Sequence, residues 1–389
     1  MAAICSTSVI PGGLDRANRR GRKHHTATGR AVRFSPVFSR YASFMSVNLK
    51  DVAKRAGVSV PTASRVLSGS DYPVLPELRR RVQDAATELD YVPNAQAQGL
   101  LRGNTGMIGV LAGDVGDPYF SEMVNGIHAV ATRRQLLVAI CQTERDIEQE
   151  LAYFKMLQAH RAAVVILAGS GLDDEDYHER VSTRARSFGA SGGRVVGIGT
   201  PVRDVDAVQV DNVAGARALG QHLVDLGHRE VGVLAGPSNV GSTVERLAGV
   251  REVLEGAGGA VHVRYGAPTR DDAYVGAGEM LRAHPDLTAL VGSADQMAIG
   301  AMAWLRDRGL QVPRDVSVAG FNDIAVARDL EPALTTVRLP LREMGEAALT
   351  IALEPSGEGE RVIRQLGTEL LVRKSTGPAR TGRLEGVVQ

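Results

Sequence analysis

From residue 106 onward the chain keeps returning to short, continuous apolar runs. They are Met107-Ile108-Gly109-Val110-Leu111, Leu136-Leu137-Val138-Ala139-Ile140, Ala163-Val164-Val165-Ile166-Leu167, Val195-Val196-Gly197-Ile198, Val231-Gly232-Val233-Leu234, Ala289-Leu290-Val291-Gly292 and Val316-Ser317-Val318-Ala319. A strand that shows no alternation is buried on both faces, as in a parallel sheet. Helical patterns separate the runs, among them 119–134 and 147–160. Strand and helix in strict alternation lead to a doubly wound α/β architecture. Two such half-domains in tandem place a ligand cleft at the carboxyl ends of their strands.

The segment before residue 106 follows a different, helical grammar. Leu49, Val52, Ala53 and Ala56 form one apolar face, and Gly57 ends that helix with a turn that favours positive φ. Val58 follows as a buried plug, Ser59 as an N-cap and Pro61 in the first turn of a second helix. In that helix Ala63, Val66 and Leu67 face inward, which leaves Val60, Pro61, Thr62, Ser64 and Arg65 outside. A third helix, 76–89, buries Leu78, Val82, Ala85, Ala86 and Leu89. Helix, glycine turn and helix is the helix-turn-helix pattern, whose second helix enters the major groove; an ordinary helical hairpin shares the same spacing.

Charge supports the first of these. The whole chain of 389 residues is nearly neutral, at +1. Residues 1–46 carry eight basic side chains against Asp15 alone, 47–105 are net +2, and the remainder is net −8. Positive charge therefore gathers where a polyanion would be met. Residues 1–46 lack periodicity and read either as a disordered basic tail or as the product of an upstream start, since Met45 lies just before the first patterned residues. Cys5 and Cys141 are the only cysteines, too few for a disulfide scaffold or a four-cysteine zinc site. With neither a spanning apolar stretch nor a secretory h-region, the expectation is a cytoplasmic protein without membrane contact.

The wording of the helical segment is more specific than its spacing. Leu49-Lys50-Asp51-Val52-Ala53-Lys54-Arg55-Ala56-Gly57-Val58-Ser59, then Thr62-Ala63-Ser64-Arg65-Val66-Leu67-Ser68-Gly69 and Tyr91-Val92-Pro93-Asn94-Ala95, closely resemble the headpiece of lactose-repressor (LacI/GalR) family regulators. The phrases Val210-Asp211-Asn212, Glu245-Arg246-Leu247-Ala248-Gly249, Ser293-Ala294-Asp295-Gln296-Met297-Ala298 and Gly320-Phe321-Asn322-Asp323 are similar to that family's sensor domain. The resemblance implies a helix-turn-helix headpiece at 47–92, a hinge helix at 93–105, a two-lobed, periplasmic-binding-protein-like body at 106–380 and a tail at 381–389.

It also implies roles. Val60, Pro61 and Arg65 would read bases, Arg65 being suited to a bidentate guanine contact. Leu49, Thr62, Ser64, Asn94, Ala95 and Ala97 would lie along the backbone contacts, and Leu100 would wedge into a central minor-groove step. The effector pocket would include Asp114, Tyr119, Phe120, Arg246, Asp295 and Asn322, a set suited to a carbohydrate or polyol because arginine and carboxylates fix vicinal hydroxyls while a ring covers C–H faces. Two carboxylates also have a structural reading, Asp295 as a cap of the following helix and Asp211 as a cap at a βα turn. Departures from the family are Gln98-Gly99 in the hinge, Leu75 at the cap of the third helix, Ala294 before Asp295, and Asn322 where aspartate is usual.

No catalytic constellation competes. Walker A, HExxH and GxSxG sequences are absent, the loop 109–116 is not a dinucleotide fingerprint, and the histidines are scattered. The expected function is that of a non-enzymatic transcriptional regulator, with no cofactor, working as a homodimer on a pseudo-palindromic operator under control of a small molecule. The alternative is a stand-alone small-molecule sensor without DNA recognition.

Overall fold

The computed structural model describes residues 47–68, 72–93, 106–169, 171–199, 203–354 and 361–384. They form two compact units that divide after Val92. The tail 1–46 and the hinge residues Asn94, Ala95, Ala97 and Leu100 lie outside the described residues.

The first unit is three helices: α1 (Leu49–Ala56), α2 (Val60–Leu67) and α3 (Pro76–Glu88). Asn48 caps α1 by accepting from the Lys50 and Asp51 amides, and the Asp51 carboxylate accepts from the Asn48 amide in return. Gly57 takes φ 64°, the left-handed turn that its position demanded. The core is small: Val52, Ala53 and Ala56 meet Ala63, Val66, Val82, Ala85 and Ala86, with Val58, Leu78 and Leu89 only partly covered. Leu75, which offers no side-chain cap, precedes α3 as its sequence indicated.

The second unit holds two parallel sheets. The chain runs through β1 (Met107–Ala112), α4 (Pro118–Arg133), β2 (Leu137–Gln142), α5 (Ile147–Ala159), β3 (Val164–Ala168), α6 (Glu175–Ala190), β4 (Arg194–Ile198) and β5 (Asp206–Val210), all in the first lobe. Next come α7 (Asn212–Asp225), β6 (Glu230–Ala235), α8 (Gly241–Gly256), β7 (Ala260–Tyr265), α9 (Arg270–Ala283), β8 (Ala289–Gly292), α10 (Asp295–Asp307), β9 (Ser317–Asn322) and β10 (Thr335–Arg338) in the second. It then returns to the first lobe with α11 (Leu341–Leu353) and β11 (Ile363–Leu366), and ends in the second with β12 (Glu369–Leu371). The sheet orders are β11-β5-β4-β3-β1-β2 and β12-β10-β9-β8-β6-β7, with only β12 antiparallel.

This differs from a simple tandem of half-domains. The face of the first sheet beside α4 needs a covering helix, and α11 supplies it by burying Leu341, Met344, Ala347, Ala348 and Ile351. The apolar run at 136–140 is likewise not a central strand. β2 lies at a sheet edge and leaves Leu137 and Ile140 exposed. Trp304 is core, packed in α10. Packing also extends past residue 380: Arg380 donates to the carbonyls of Pro285, Leu287 and Asp315, and Leu384 is buried. No helix among the described residues is long and apolar enough to cross a membrane.

Helices α4 and α11 cross at reciprocal glycines. A Cβ on Gly126 would overlap the Arg342 carbonyl, and one on Gly345 the Met123 carbonyl. Gly189 in α6, by contrast, has nothing near its absent Cβ. In urea denaturation Gly126→Ala is expected to destabilise by about 1–3 kcal/mol through overpacking, whereas Gly189→Ala should stabilise by roughly 0.5–1 kcal/mol through helix propensity. Equal effects at the two sites would contradict the close crossing.

Candidate functional site

The headpiece presents α2 by its N-terminal half. Ser59 caps the helix, its Oγ accepting from the Thr62 amide at 3.3 Å and lying 2.8 Å from Thr62 Oγ1. Ala63 and Val66 hold the inner face, which leaves Val60, Pro61 and Arg65 exposed and Thr62 and Ser64 half-buried. Leu49, at the start of α1, is half-buried as well. An exposed helix end with an arginine one turn and a half along has the form that a major groove admits. The supporting arginines are occupied elsewhere: Arg55 pairs with Glu88 at 2.5 Å, and Arg81 donates to the Ala56 carbonyl at 2.5 Å.

In the body, both sheets direct the carboxyl ends of their strands toward one cleft of about 880 Å³. That volume lies within the usual range for small-molecule sites. The first lobe contributes Asp114, Asp117, Tyr119, Phe120, Gln142, Glu144 and Arg145; the second contributes Thr243, Arg246, Arg270, Ser293, Gln296 and Asn322. Across the cleft the lobes share backbone bonds. Asp173 donates its amide to the Asn239 carbonyl at 2.6 Å, Gly241 to that of Gly171 at 3.3 Å, and Leu172 pairs with Val240 as an isolated antiparallel bridge.

Arg246 is the best-anchored cleft residue. Its Nε donates to Asn212 Oδ1 at 2.9 Å, one terminal nitrogen to the Ser293 carbonyl at 2.6 Å, and its guanidinium lies 4.5 Å over the Phe321 ring. Burial pulls its pKa down, an effect opposed by Tyr119 and Glu245. The second terminal nitrogen has no partner among the described residues, which leaves a donor for a ligand oxygen. Opposite, Tyr119 and Phe120 meet edge to face at 5.0 Å, and the Arg145 guanidinium stands 5.7 Å from the Phe120 ring.

Asn322 ends β9 with φ 115°, and Asp323 follows at 56°, two consecutive side chains in the left-handed half of the map. Asn322 Oδ1 is buried and without a hydrogen-bond partner among the described residues. Strain and an unmet acceptor at a cleft wall are features that ligand sites retain. Asp114, on the facing wall, is exposed and accepts from the Gly116 amide at 2.8 Å.

Asp295 does not join them. It is fully buried beneath the cleft and off its wall, accepting from the Ile324 amide at 2.8 Å and from Thr336 Oγ1 at 2.5 Å. Its carboxylate ties the end of β9 to β10; the helix cap position itself is Ala294. Burial pushes the Asp295 carboxyl up to about 7. Asp211 does cap α7, accepting from the Ala214 amide at 2.8 Å. The pattern of the sequence passed over Arg145, Gln142 and Glu144. Gln142 ends β2 and Glu144 and Arg145 follow on its loop, and the rule that open sheets bind ligands at and beyond their strand ends would have drawn attention to them.

Below Phe120 the cleft adjoins a small cavity floored by Glu150, which accepts from the Tyr177 hydroxyl at 3.1 Å. Burial pushes the Glu150 carboxyl from 4.5 up to about 7, against the hydrogen bond from Tyr177 and the charge of Arg145. A group whose pKa is raised by folding stabilises the protein most below its unfolded value, and that advantage is lost as pH rises through the folded value. Relative to Glu150→Gln, which keeps an acceptor for Tyr177, the wild type should lose stability between pH 4.5 and about 7. Thermal midpoints that run parallel for the two proteins across this window would show that Glu150 is not protonated by folding.

Comparison with known proteins assigns the family. Residues 48–94 match the model for bacterial regulatory proteins of the lacI family, and 221–376 that for a periplasmic binding protein-like domain. The chain is similar to the HTH-type transcriptional regulator CelR of Thermobifida fusca, at 33% identity over 84% of this chain and 97% of that protein. Among solved structures it is similar to a lac repressor dimer bound to operator and the anti-inducer ONPF, with TM-score 0.75, 28% identity and coverage of 85% and 99%. It is also similar to a CelR–cellobiose complex, with TM-score 0.60, 30% identity and the same coverage. A reading helix, a two-lobed cleft and relatives matched over nearly their full length agree: the chain belongs to the lacI family of bacterial regulatory proteins and is a DNA-binding transcriptional regulator.

Proposed function

We propose that the protein is a cytoplasmic repressor that binds a pseudo-palindromic operator as a homodimer, and that a carbohydrate or related polyol in the cleft controls its hold on DNA. The observation that carries this is the pairing, in one chain, of an exposed reading helix with a cleft that ends on the anchored Arg246. Arginine and the facing acidic groups suit vicinal hydroxyls, and Phe120 suits a sugar's C–H face. The similar CelR–cellobiose complex supports that ligand class. A homodimer is supported by the lac repressor dimer and by apolar exposure at both outer sheet edges, Leu137 and Ile140 on β2 and Tyr265 on β7.

In this reading Val60, Pro61 and Arg65 meet bases, while Leu49, Thr62, Ser64, Asn94, Ala95 and Ala97 run along the phosphates. Leu100 enters a minor-groove step, and Asp114, Tyr119, Phe120, Arg246 and Asn322 meet the ligand. Asp295 supports the pocket from beneath, holding the strand ends through Thr336 and Ile324.

Selection from a randomised duplex library with the full chain should return inverted half-sites. Arg65→Ala should relax preference at one base pair per half-site at a cost of about 1–3 kcal/mol, and Lys50→Ala should weaken all duplexes alike. Failure to enrich any duplex would leave a sensor without DNA recognition. A thermal-shift screen of mono- and disaccharides, polyols and nucleosides should find a stabilising ligand, since binding to the native state alone raises stability. Arg246→Ala should abolish that shift; a normal shift in the variant would remove Arg246 from the site.

A further inference from the structure

Arg65 has an aromatic neighbour that the recognition pattern does not contain. Its guanidinium carbon lies 4.2 Å from the centre of the Tyr72 ring. Three of the four other arginines described in this unit are held by oxygen, Arg55 by Glu88, Arg80 by Glu77 and Arg81 by the Ala56 carbonyl. Unlike these three, Arg65 has a ring face and no side-chain hydrogen bond or ion pair among the described residues. A ring beneath the guanidinium plane covers its face and leaves its edge free, and all five N–H donors lie along that edge. Tyr72 is no core residue. It is 56% exposed, and its hydroxyl has no partner among the described residues.

We propose that Tyr72 is a positioning residue for base reading: its ring holds the Arg65 guanidinium in a set plane, with the paired N–H donors directed outward for a guanine edge. The inference rests on Arg65 being the base-reading side chain. The physical argument concerns order. A bidentate contact to guanine O6 and N7 needs both donors in the plane of the base pair, and a long side chain on an exposed helix must be immobilised to present them. Stacking on Tyr72 restricts the side chain before DNA arrives, so less freedom is lost on binding the matching base. Among the described residues the ring's cation–π contact is with Arg65, so its contribution falls on discrimination at Arg65's base pair and leaves the phosphate contacts unchanged.

The test uses the full chain and duplexes selected from a randomised library. The pair read by Arg65 is the one whose preference is relaxed in Arg65→Ala, and discrimination is the affinity ratio between the best duplex and the duplex altered at that pair. Tyr72→Ala should lower this ratio about two- to fivefold, the range for an exposed cation–π contact. The salt dependence of affinity should not change. Tyr72→Phe, which keeps the ring, should retain wild-type discrimination, and the double variant Arg65→Ala/Tyr72→Ala should discriminate no worse than Arg65→Ala. If Tyr72→Ala keeps full discrimination while Arg65→Ala loses it, the positioning role is wrong and the reading of Arg65 stands. A uniform loss across duplexes in Tyr72→Phe would make the hydroxyl a phosphate contact and overturn the proposal. Undiminished discrimination in Arg65→Ala would overturn both assignments together.

Discussion

Parallel strands impose two conditions at once, and most of the molecule follows from them. Their backbone ladder leaves both sheet faces apolar, so each face must be covered by helices. Their common polarity also gathers every carboxyl end, with its loops, at one edge of the sheet. The first lobe meets the covering condition only by recruiting α11 and β11 from late in the chain, with β11 in parallel register against β5 from Ile363 opposite Ala207 to Leu366 opposite Val210. The lobes are thereby joined by several crossings of the chain, and their strand ends face each other across the cleft. A ligand that touches both walls therefore acts on the relation between the lobes.

Within the cleft, wall and foundation are chemically distinct. Arg246 is committed on one side to Asn212, Ser293 and the Phe321 ring and open on the other. Asn322 sits on the wall with an acceptor unmet among the described residues and a backbone in the left-handed region. Asp295 lies one layer down, where one carboxyl oxygen accepts from Thr336 Oγ1 and the other from the Ile324 amide. A carboxylate held in this way sets the direction of the strand ends that carry Asn322, so its influence on ligand binding is indirect.

Much of this was legible in the residues. The cap, turn and face of the headpiece are local features, and Ser59, Gly57, Ala63 and Val66 take the places that their chemistry indicates. Buried strands announce themselves as apolar runs. What was not legible depends on long-range pairing. The run at Leu137 reads as central, yet it lies at an edge because nothing in a local pattern tells which strands are neighbours. β7, with its alternating His262 and Arg264, and the short β10 to β12 lack the apolar run altogether. Asp295 enters the pocket only through the family resemblance, and its bonds to residues 29 and 41 positions away show the other role. The approach of the Tyr72 ring to Arg65 is likewise a matter of three-dimensional placement.

The central claim is that cleft and reading helix work as a single switch. Its most direct test is a linkage cycle by calorimetry on the full chain: operator binding with and without saturating ligand, and ligand binding with and without saturating operator. The account predicts that each partner changes the other's affinity by the same factor, about fivefold or more. Tight binding of both, with each affinity indifferent to the other, would contradict it.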